Sequence, residues 1–211
     1  MPDATVHVID DDPRMLRAIS RQLRSYHYQV QAYTSAEKFL EREAPSTTAC
    51  LVLDLKMPDI GGLELQGVLN KGDSCLPIIF VSGDADIASS VQAMKAGAID
   101  FLTKPFNGID LISAVQNALD RSRQVQEARR LLNGDRNAFA TLTSREREVC
   151  LGIAQGLLNK QVGFELGTTE KTVKAQRARV MQKLGASSLA DVVRLVERLR
   201  AAGELISSPS R

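Results

Sequence analysis

The sequence predicts two domains of different class: an α/β domain built on a doubly wound, five-stranded parallel sheet, and a second, all-α domain of four helices. Three observations predict it. Short continuous apolar runs alternate with helix-spaced ones through the first half and do not recur in the second. Residues 1–120 carry ten Lys/Arg against sixteen Asp/Glu, a net −6, and residues 121–211 carry seventeen against nine, a net +8. The 211 residues are 44% hydrophobic, enough for two cores, which must rest on Leu, Ile, Val and Ala because there is no Trp and few other aromatics. The expected boundaries are 1–120, a helical linker over 121–137, and 138–211.

In the first half, Thr5–Ile9 reads as a buried strand. Pro13 opens a helix in which Met15, Leu16, Ile19 and Leu23 recur at helical spacing. Gln29–Tyr33 alternates like a strand, and Ser35 caps a helix carrying Phe39 and Leu40. Ala49–Leu53 is the third strand. Gly61-Gly62 breaks the chain before a helix with Leu63, Leu65 and Leu69. Pro77–Val81 is the fourth strand, Ile87–Ala96 a helix stopped by Gly97, and Ile99–Leu102 the short fifth strand. The last helix starts near Asn107. Leu119, Val125, Ala128, Leu131 and Leu132 carry its rhythm onward until the turn signal Asn133-Gly134.

In the second half, Thr143-Ser-Arg-Glu146 is a capping box that opens a helix with Val149, Ile153 and Leu157 on one face. Asn159–Leu166 is a short helix ended by Gly167. Thr169 caps a third helix running to about Leu184, and Ser188 with Asp191 opens a fourth through about Leu199. Ser207–Arg211 is expected to fray.

Composition excludes several classes. No apolar run approaches the roughly 20 residues that span a bilayer. The polar start, Met1 to Thr5, does not read as a secretory signal. Cys50, Cys75 and Cys150 have neither metal-ligand nor disulfide spacing, as expected of reduced thiols in a cytoplasmic protein.

Parallel sheets of this kind bind ligands outside the carboxyl ends of their strands. There the sequence places Asp10, Asp11 and Asp12 after the first strand, Asp54 after the third, Ser82 after the fourth, and Thr103 and Lys104 after the fifth. Any one of these would pass as an ordinary polar strand end. Several carboxylates crowded together would repel unless compensated, so their joint placement with a lysine points to a site. Oxygen ligands suit a hard cation such as Mg²⁺. A phosphoryl group moving onto a carboxylate gathers charge that a metal, a hydroxyl and an ammonium stabilise. Asp54 is the candidate nucleophile, Lys104 its positive partner and Ser82 the hydroxyl.

Two short helices joined by a Gly-containing turn, the second carrying Lys171, Lys174, Arg177, Arg179 and Lys183, describe a helix-turn-helix with affinity for phosphates. Val173, Val180 and Leu184 form its interior face, leaving Lys174, Ala175, Arg177 and Ala178 more outward. Taken alone, such a charged face would read as solvated surface.

Five segments of the first half, Val8-Ile-Asp-Asp-Asp12, Leu53-Asp-Leu-Lys-Met-Pro-Asp59, Val81-Ser-Gly83, Met94-Lys-Ala-Gly-Ala98 and Phe101-Leu-Thr-Lys-Pro-Phe106, resemble the flavodoxin-like receiver domain of two-component response regulators over roughly residues 4–120. Leu142-Thr-Ser-Arg-Glu-Arg-Glu-Val149, Gly156-Leu-Leu-Asn-Lys-Gln-Val162 and Glu170-Lys-Thr-Val-Lys174 resemble the LuxR-type DNA-binding domain over about residues 138–200. Together they resemble the FixJ/NarL family. The resemblance implies that Asp54 accepts phosphate from a sensor histidine kinase. It implies Mg²⁺ as the cofactor, held by Asp11 directly, Asp10 through water, Asp54, and the backbone carbonyl of Lys56. Ser82 is then the switch hydroxyl, Phe101 the switch aromatic and Lys104 the phosphate-binding lysine, with Asp12 a neighbour rather than a ligand. Lys56 and Asp84 stand where the family tunes phosphate lifetime, and a cis bond before Pro105 is common in it.

For DNA, the resemblance puts Lys174, Ala175 and Ala178 where bases are read. Thr172, Arg177 and Arg179 are candidates for base or phosphate contact, Asn159, Lys160 and Thr169 position the backbone, and Lys171 joins the DNA-binding set as a phosphate-attracting cation. The implied partners are the kinase, promoter DNA, RNA polymerase and, on phosphorylation, a second copy through the face around the fourth helix and fifth strand (Val91, Lys95, Asp100). Three positions depart from the family: Gln176 replaces a histidine, Gly163 an alanine, and Ala175 a bulkier residue. Gly163 costs about 1 kcal/mol of helix propensity unless packing needs it. The last helix, with Leu189, Val192, Val193 and Val196, packs either a dimer or its own domain. A constitutive DNA binder with a passive receiver, or a phosphotransfer regulator without DNA binding, are the alternatives, and an independent enzyme is the least expected.

Overall fold

The structure is a computed structural model describing residues 4–42, 48–72, 76–83 and 87–205. Cys75, Asp84 and the tail Ser207–Arg211 lie outside the described residues. The chain divides into two units, Met1–Glu127 and Ala128–Arg211.

In the first unit, β1 (Ala4–Ile9), β2 (Gln29–Tyr33), β3 (Thr48–Asp54), β4 (Ile78–Ser82) and β5 (Asp100–Thr103) form one parallel sheet in the order β2-β1-β3-β4-β5. Alternate residues of a strand face opposite sides, and the sheet sorts its side chains accordingly. Val6, Val8, Cys50, Val52, Ile79 and Val81 pack with Leu16, Ile19 and Leu23 of α1 (Pro13–Ser25) and with Leu111, Val115 and Leu119 of α5 (Gly108–Ala140). Ile9, Leu51, Leu53 and Phe80 pack with Phe39 of α2 (Ala36–Leu40), Leu65 and Leu69 of α3 (Gly62–Lys71), and Ala93 of α4 (Ile87–Lys95). Helices thus cover both faces. That is why β1, β3 and β4 read as continuous apolar runs, whereas edge strand β2 is only partly buried.

His7 belongs to the second face, its ring 5.9 Å from that of Tyr33 and 5.5 Å from that of Phe39. Burial, with Arg42 nearby, lowers its pKa to about 4, so it packs as a neutral core residue. The buried thiol of Cys50 is pushed up to about 12 and that of Cys150 to about 11, which keeps both poor nucleophiles.

Local chemistry sets where α1 and α3 begin. Asp12 caps α1, its Oδ1 accepting from the N–H of Arg14 at 2.8 Å. At Gly62 the N–H donates to the carbonyl of Leu55 at 3.0 Å, and a Cβ would lie 2.5 Å from the carbonyl oxygen of Asp54. Only glycine lets α3 start this close to β3.

One expectation about the helices fails. The helical extension does not stop near Asn133-Gly134; α5 continues to Ala140. Leu132 and Phe139 pack on the core of the second unit. Asp135 takes two hydrogen bonds from Arg198, at 2.6 and 3.1 Å, and Arg136 pairs with Glu204. These tertiary contacts outweigh a weak local stop signal. The division at Glu127/Ala128 falls inside this helix.

The second unit adds α6 (Ser144–Ala154), α7 (Asn159–Glu165), α8 (Glu170–Leu184) and α9 (Leu189–Ala201) around Val149, Ile153, Val162, Val173, Val180, Val192 and Val196. Val192, Leu195, Val196 and Leu199 of α9 are buried within this unit. The capping boxes expected at Thr143/Glu146 and Ser188/Asp191 are both formed. Gly163 is needed by packing: a Cβ there would lie 2.9 Å from the carbonyl oxygen of Thr168, so α7 approaches the α7–α8 turn more closely than an alanine permits.

Two glycines of α3 test the close approach. Gly62→Ala is expected to destabilise the first unit by about 1 to 3 kcal/mol, because backbone must move. Gly67→Ala, which meets nothing within 4 Å, is expected to stabilise it by about 0.5 to 1 kcal/mol. Urea unfolding midpoints measure both, and equal effects at the two positions would contradict the packing described.

Candidate functional site

The carboxyl ends of β1, β3 and β5 converge. Lys104, just past β5, donates from Nζ to Asp10 Oδ2 and to Asp54 Oδ1, each at 2.8 Å. Asp10 and Asp54 are buried, whereas Asp11 is exposed. Oxygens of Asp10, Asp11 and Asp54 all lie within 4.8 Å of one another. The other oxygen of Asp10 accepts from the N–H of Asp12 at 2.9 Å, while the Asp12 side chain is occupied by its capping bond. The Lys104–Pro105 peptide is cis, and the Lys104 N–H donates to the carbonyl of Ser82 at 2.7 Å.

Burial raises the Asp54 pKa; the hydrogen bond and charge of Lys104 pull it back, Asp10 and Asp11 push it up again, and the net shift is upward. For Lys104, burial pulls downward, but the hydrogen bonds to Asp10 and Asp54 outweigh it and raise the pKa. One ammonium faces three carboxylates, which leaves an excess of negative charge and of oxygen donors. That donor set fits a hard divalent cation. Lys56, whose backbone carbonyl completes the expected ligand set, follows β3 by two residues and has an exposed side chain.

The remaining predicted positions lie beside this cluster. Ser82 ends β4 next to Asp54 in the strand order, and its buried hydroxyl has no hydrogen-bond partner among the described residues. Phe101 on β5 is half-buried, its ring stacked 6.2 Å from that of Phe80.

In the second unit, Thr169 caps α8 by accepting from the N–H of Thr172 at 3.2 Å. Lys171, Thr172, Lys174, Ala175, Ala178 and Arg179 are exposed, as is Lys160 on α7. Arg177 is half-buried and donates to Asn159 Oδ1 at 3.3 Å, linking α8 to the start of α7. Lys183 departs from the group of phosphate-attracting side chains: it donates to Glu146 at 2.6 Å and to the carbonyl of Thr141 at 3.3 Å. It therefore fixes α8 against the start of α6. Sequence reasoning found Glu146 as a cap but missed this third partner, 37 residues away. It also missed Phe164, 89% exposed beside Leu157, Lys160, Gln161 and Glu165 in a groove of about 400 Å³.

Residues 6–116 match the family model of the response regulator receiver domain, and residues 140–196 that of the luxR family of bacterial regulatory proteins. Over 196 residues the chain is 44% identical to nodulation protein W of Bradyrhizobium diazoefficiens, spanning 93% of this chain and 86% of that protein. Over 198 residues it is 40% identical to the transcriptional regulatory protein FixJ of Azorhizobium caulinodans, spanning 92% and 93%. Among solved structures, the response regulator StyR is similar with a TM-score of 0.83 at 41% identity, over 93% of this chain and 99% of that one.

Glu146 gives a pH test of the second unit. The hydrogen bond from Lys183, with those from Thr143, lowers its pKa from 4.5 to about 2. A lowered folded-state pKa gives stability that is complete above the unfolded value and lost as pH falls through the folded one. The stability difference between the wild type and Glu146→Gln should therefore hold steady above about pH 5 and shrink steadily below it. Calorimetric unfolding of the full chain across that range checks this, and a difference independent of pH would show the pair to be inert.

Proposed function

The chain belongs to the response regulators that join a receiver domain to a LuxR-type DNA-binding domain, a phosphorylation-activated transcription regulator and not an enzyme, and from that premise we propose how its own residues carry out the role. The functional boundaries are 1–120 for the receiver, 121–137 for the helical linker and 138–211 for the DNA-binding domain. The observation that carries the reading is the Lys104 ammonium held 2.8 Å from both Asp10 and Asp54.

Asp54 is the phosphoacceptor. Its free carboxylate oxygen attacks the phosphorus of a phosphohistidine on the partner kinase; an O–P bond forms, the N–P bond breaks, and the imidazole, already protonated on its other ring nitrogen, leaves as the neutral ring. Lys104 stays beside the reacting oxygens and offsets the charge that gathers on the phosphoryl group. Mg²⁺, held by Asp10, Asp11, Asp54 and the backbone carbonyl of Lys56, supplies further positive charge there when bound. In this reading Asp10 acts through water, while its two oxygens accept from Lys104 and from the Asp12 N–H.

The new phosphoryl oxygens are strong acceptors, and the hydroxyl of Ser82, without a partner among the described residues, turns to donate to one of them. Phe101 follows into the space that opens. The surface of α4 and β5, with Val91, Lys95 and Asp100, then repacks and favours a homodimer, as a population shift between two arrangements. Val91 and Met94 of α4 are already about half exposed, as a surface that later becomes an interface requires. Dimerisation presents two DNA-binding domains to paired half-sites. Lys174, Ala175 and Ala178 read bases, with Thr172, Arg177 and Arg179 beside them. Thr169, Lys171, Asn159 and Lys160 hold phosphates, and the bound dimer acts on RNA polymerase. The protein works in the cytoplasm; no helix among the described residues is long and apolar enough to cross a membrane.

Two measurements test this. Asp54→Asn is expected to abolish the rise in dimerisation and DNA affinity that a small-molecule phosphodonor gives the wild type; a normal response from that variant would sink the assignment. On promoter DNA, Lys171→Ala should lower the slope of log affinity against log salt by about 1 for each bound copy. Lys183→Met should leave that slope unchanged and lower thermal stability instead.

A further inference from the structure

We propose that Gln66 is a positioning residue that clasps α4 in its resting place and so sets how readily the α4/β5 surface repacks. This rests on the phosphorylation-driven reading of that surface. Gln66 lies on α3 and is 1% exposed. Its Nε2 donates to the carbonyl of Ala93 in α4 at 3.1 Å. One turn further along α3, Asn70 donates from Nδ2 to the carbonyl of Ala96 at 2.9 Å. Two side-chain amides thus hold the C-terminal end of α4.

Few apolar contacts do the same work. Ala93 is the one buried residue of α4 itself, and Ile87, Val91 and Met94 are all exposed. The Ala93 carbonyl already accepts from the N–H of Ala98 at 3.1 Å, so the bond from Gln66 can break without orphaning it. Gln66 is itself only half satisfied: its Oε1 is buried with no partner among the described residues. The amide cannot turn over, because its oxygen would then face a carbonyl oxygen. An apolar side chain of similar size would pack there without an unmet hydrogen bond. Such a side chain would no longer hold the Ala93 carbonyl, so the glutamine gives up packing for a polar contact on α4 that can be released.

The other end of α3 bears on the phosphoacceptor. Gly62 lies one turn before Gln66, and its Cβ position is 2.5 Å from the carbonyl oxygen of Asp54. Helix α3 thus forms a strut between the backbone of Asp54 and the far end of α4. This route is separate from the one through Ser82 and Phe101.

Amide hydrogen exchange of the full chain, read by mass spectrometry with and without beryllofluoride and Mg²⁺, tests the clasp. In resting Gln66→Leu, peptides covering 87–96 should exchange about 5-fold faster than in the wild type, the loss expected of one net hydrogen bond. Peptides of α1 and α5 should be unchanged, and the effect of beryllofluoride on α4 should be smaller. Asn70→Ala, at a more exposed position, should give the same local effect if Gln66→Leu does not fold. Unchanged α4 exchange in a folded variant would overturn the proposal, and so would faster exchange throughout the unit, the mark of a merely structural role. Wild-type α4 exchange indifferent to beryllofluoride would instead sink the switching reading, while the resting comparison would still report on the clasp.

Discussion

The receiver site depends on one interaction, the sharing of the Lys104 ammonium between Asp10 and Asp54. Two buried carboxylates facing each other across neighbouring strands would repel strongly at the end of a sheet closed on both faces. The lysine lets both stay in place, and because it follows β5 it draws the far strand into the same site. The charge is deliberately incomplete. One ammonium against three carboxylates leaves an excess of negative charge and of oxygen donors, which is what the proposed Mg²⁺ would offset before a phosphoryl group arrives. The raised pKa of Asp54 expresses the same tension, since burial there outweighs the lysine.

The DNA-binding unit solves a different problem with similar means. A helix that presents cations to a polyanion cannot be held only by the apolar face beneath it, because much of its surface must stay exposed. Glu146 gathers the N–H and hydroxyl of Thr143 and the ammonium of Lys183, so one buried carboxylate fixes the start of α6 and the end of α8 together. At the other side, Arg177 and Asn159 hold α8 to α7. The charges left exposed on α8 are then free for an outside partner.

Much of this was legible in the sequence. The strands declared themselves as short apolar runs because each central strand is covered on both faces. The site followed from the rule that such sheets work at their carboxyl ends, which turned Asp10, Asp54, Ser82 and Lys104 from scattered residues into neighbours. What escaped notice depends on contacts between distant positions. Gln66 reads as a surface residue of an ordinary helix, and only the packing of α3 against α4 buries it. Lys183 reads as one more cation on a basic face, and Glu146 claims it across 37 positions of chain. Gly163 reads as a defect until the Thr168 carbonyl is seen beside it. The turn signal at Asn133-Gly134 was real in chemistry but weak in energy, and the packing of Leu132 and Phe139, with the ion pairs of Asp135 and Arg136, overrode it.

That last feature bears on how such proteins are assembled from parts. Leu132 and Phe139 pack against the core of the carboxyl-terminal unit, although they lie on a helix that begins in the receiver. A hybrid regulator joined at residue 138 would give its DNA-binding half a foreign strip of core, with the guanidinium of Arg198 stripped of its carboxylate. A junction just before Ala128 would carry the whole inherited interior across intact. Recombination between relatives should therefore leave its seams near the middle of this helix, not where the four-helix motif begins.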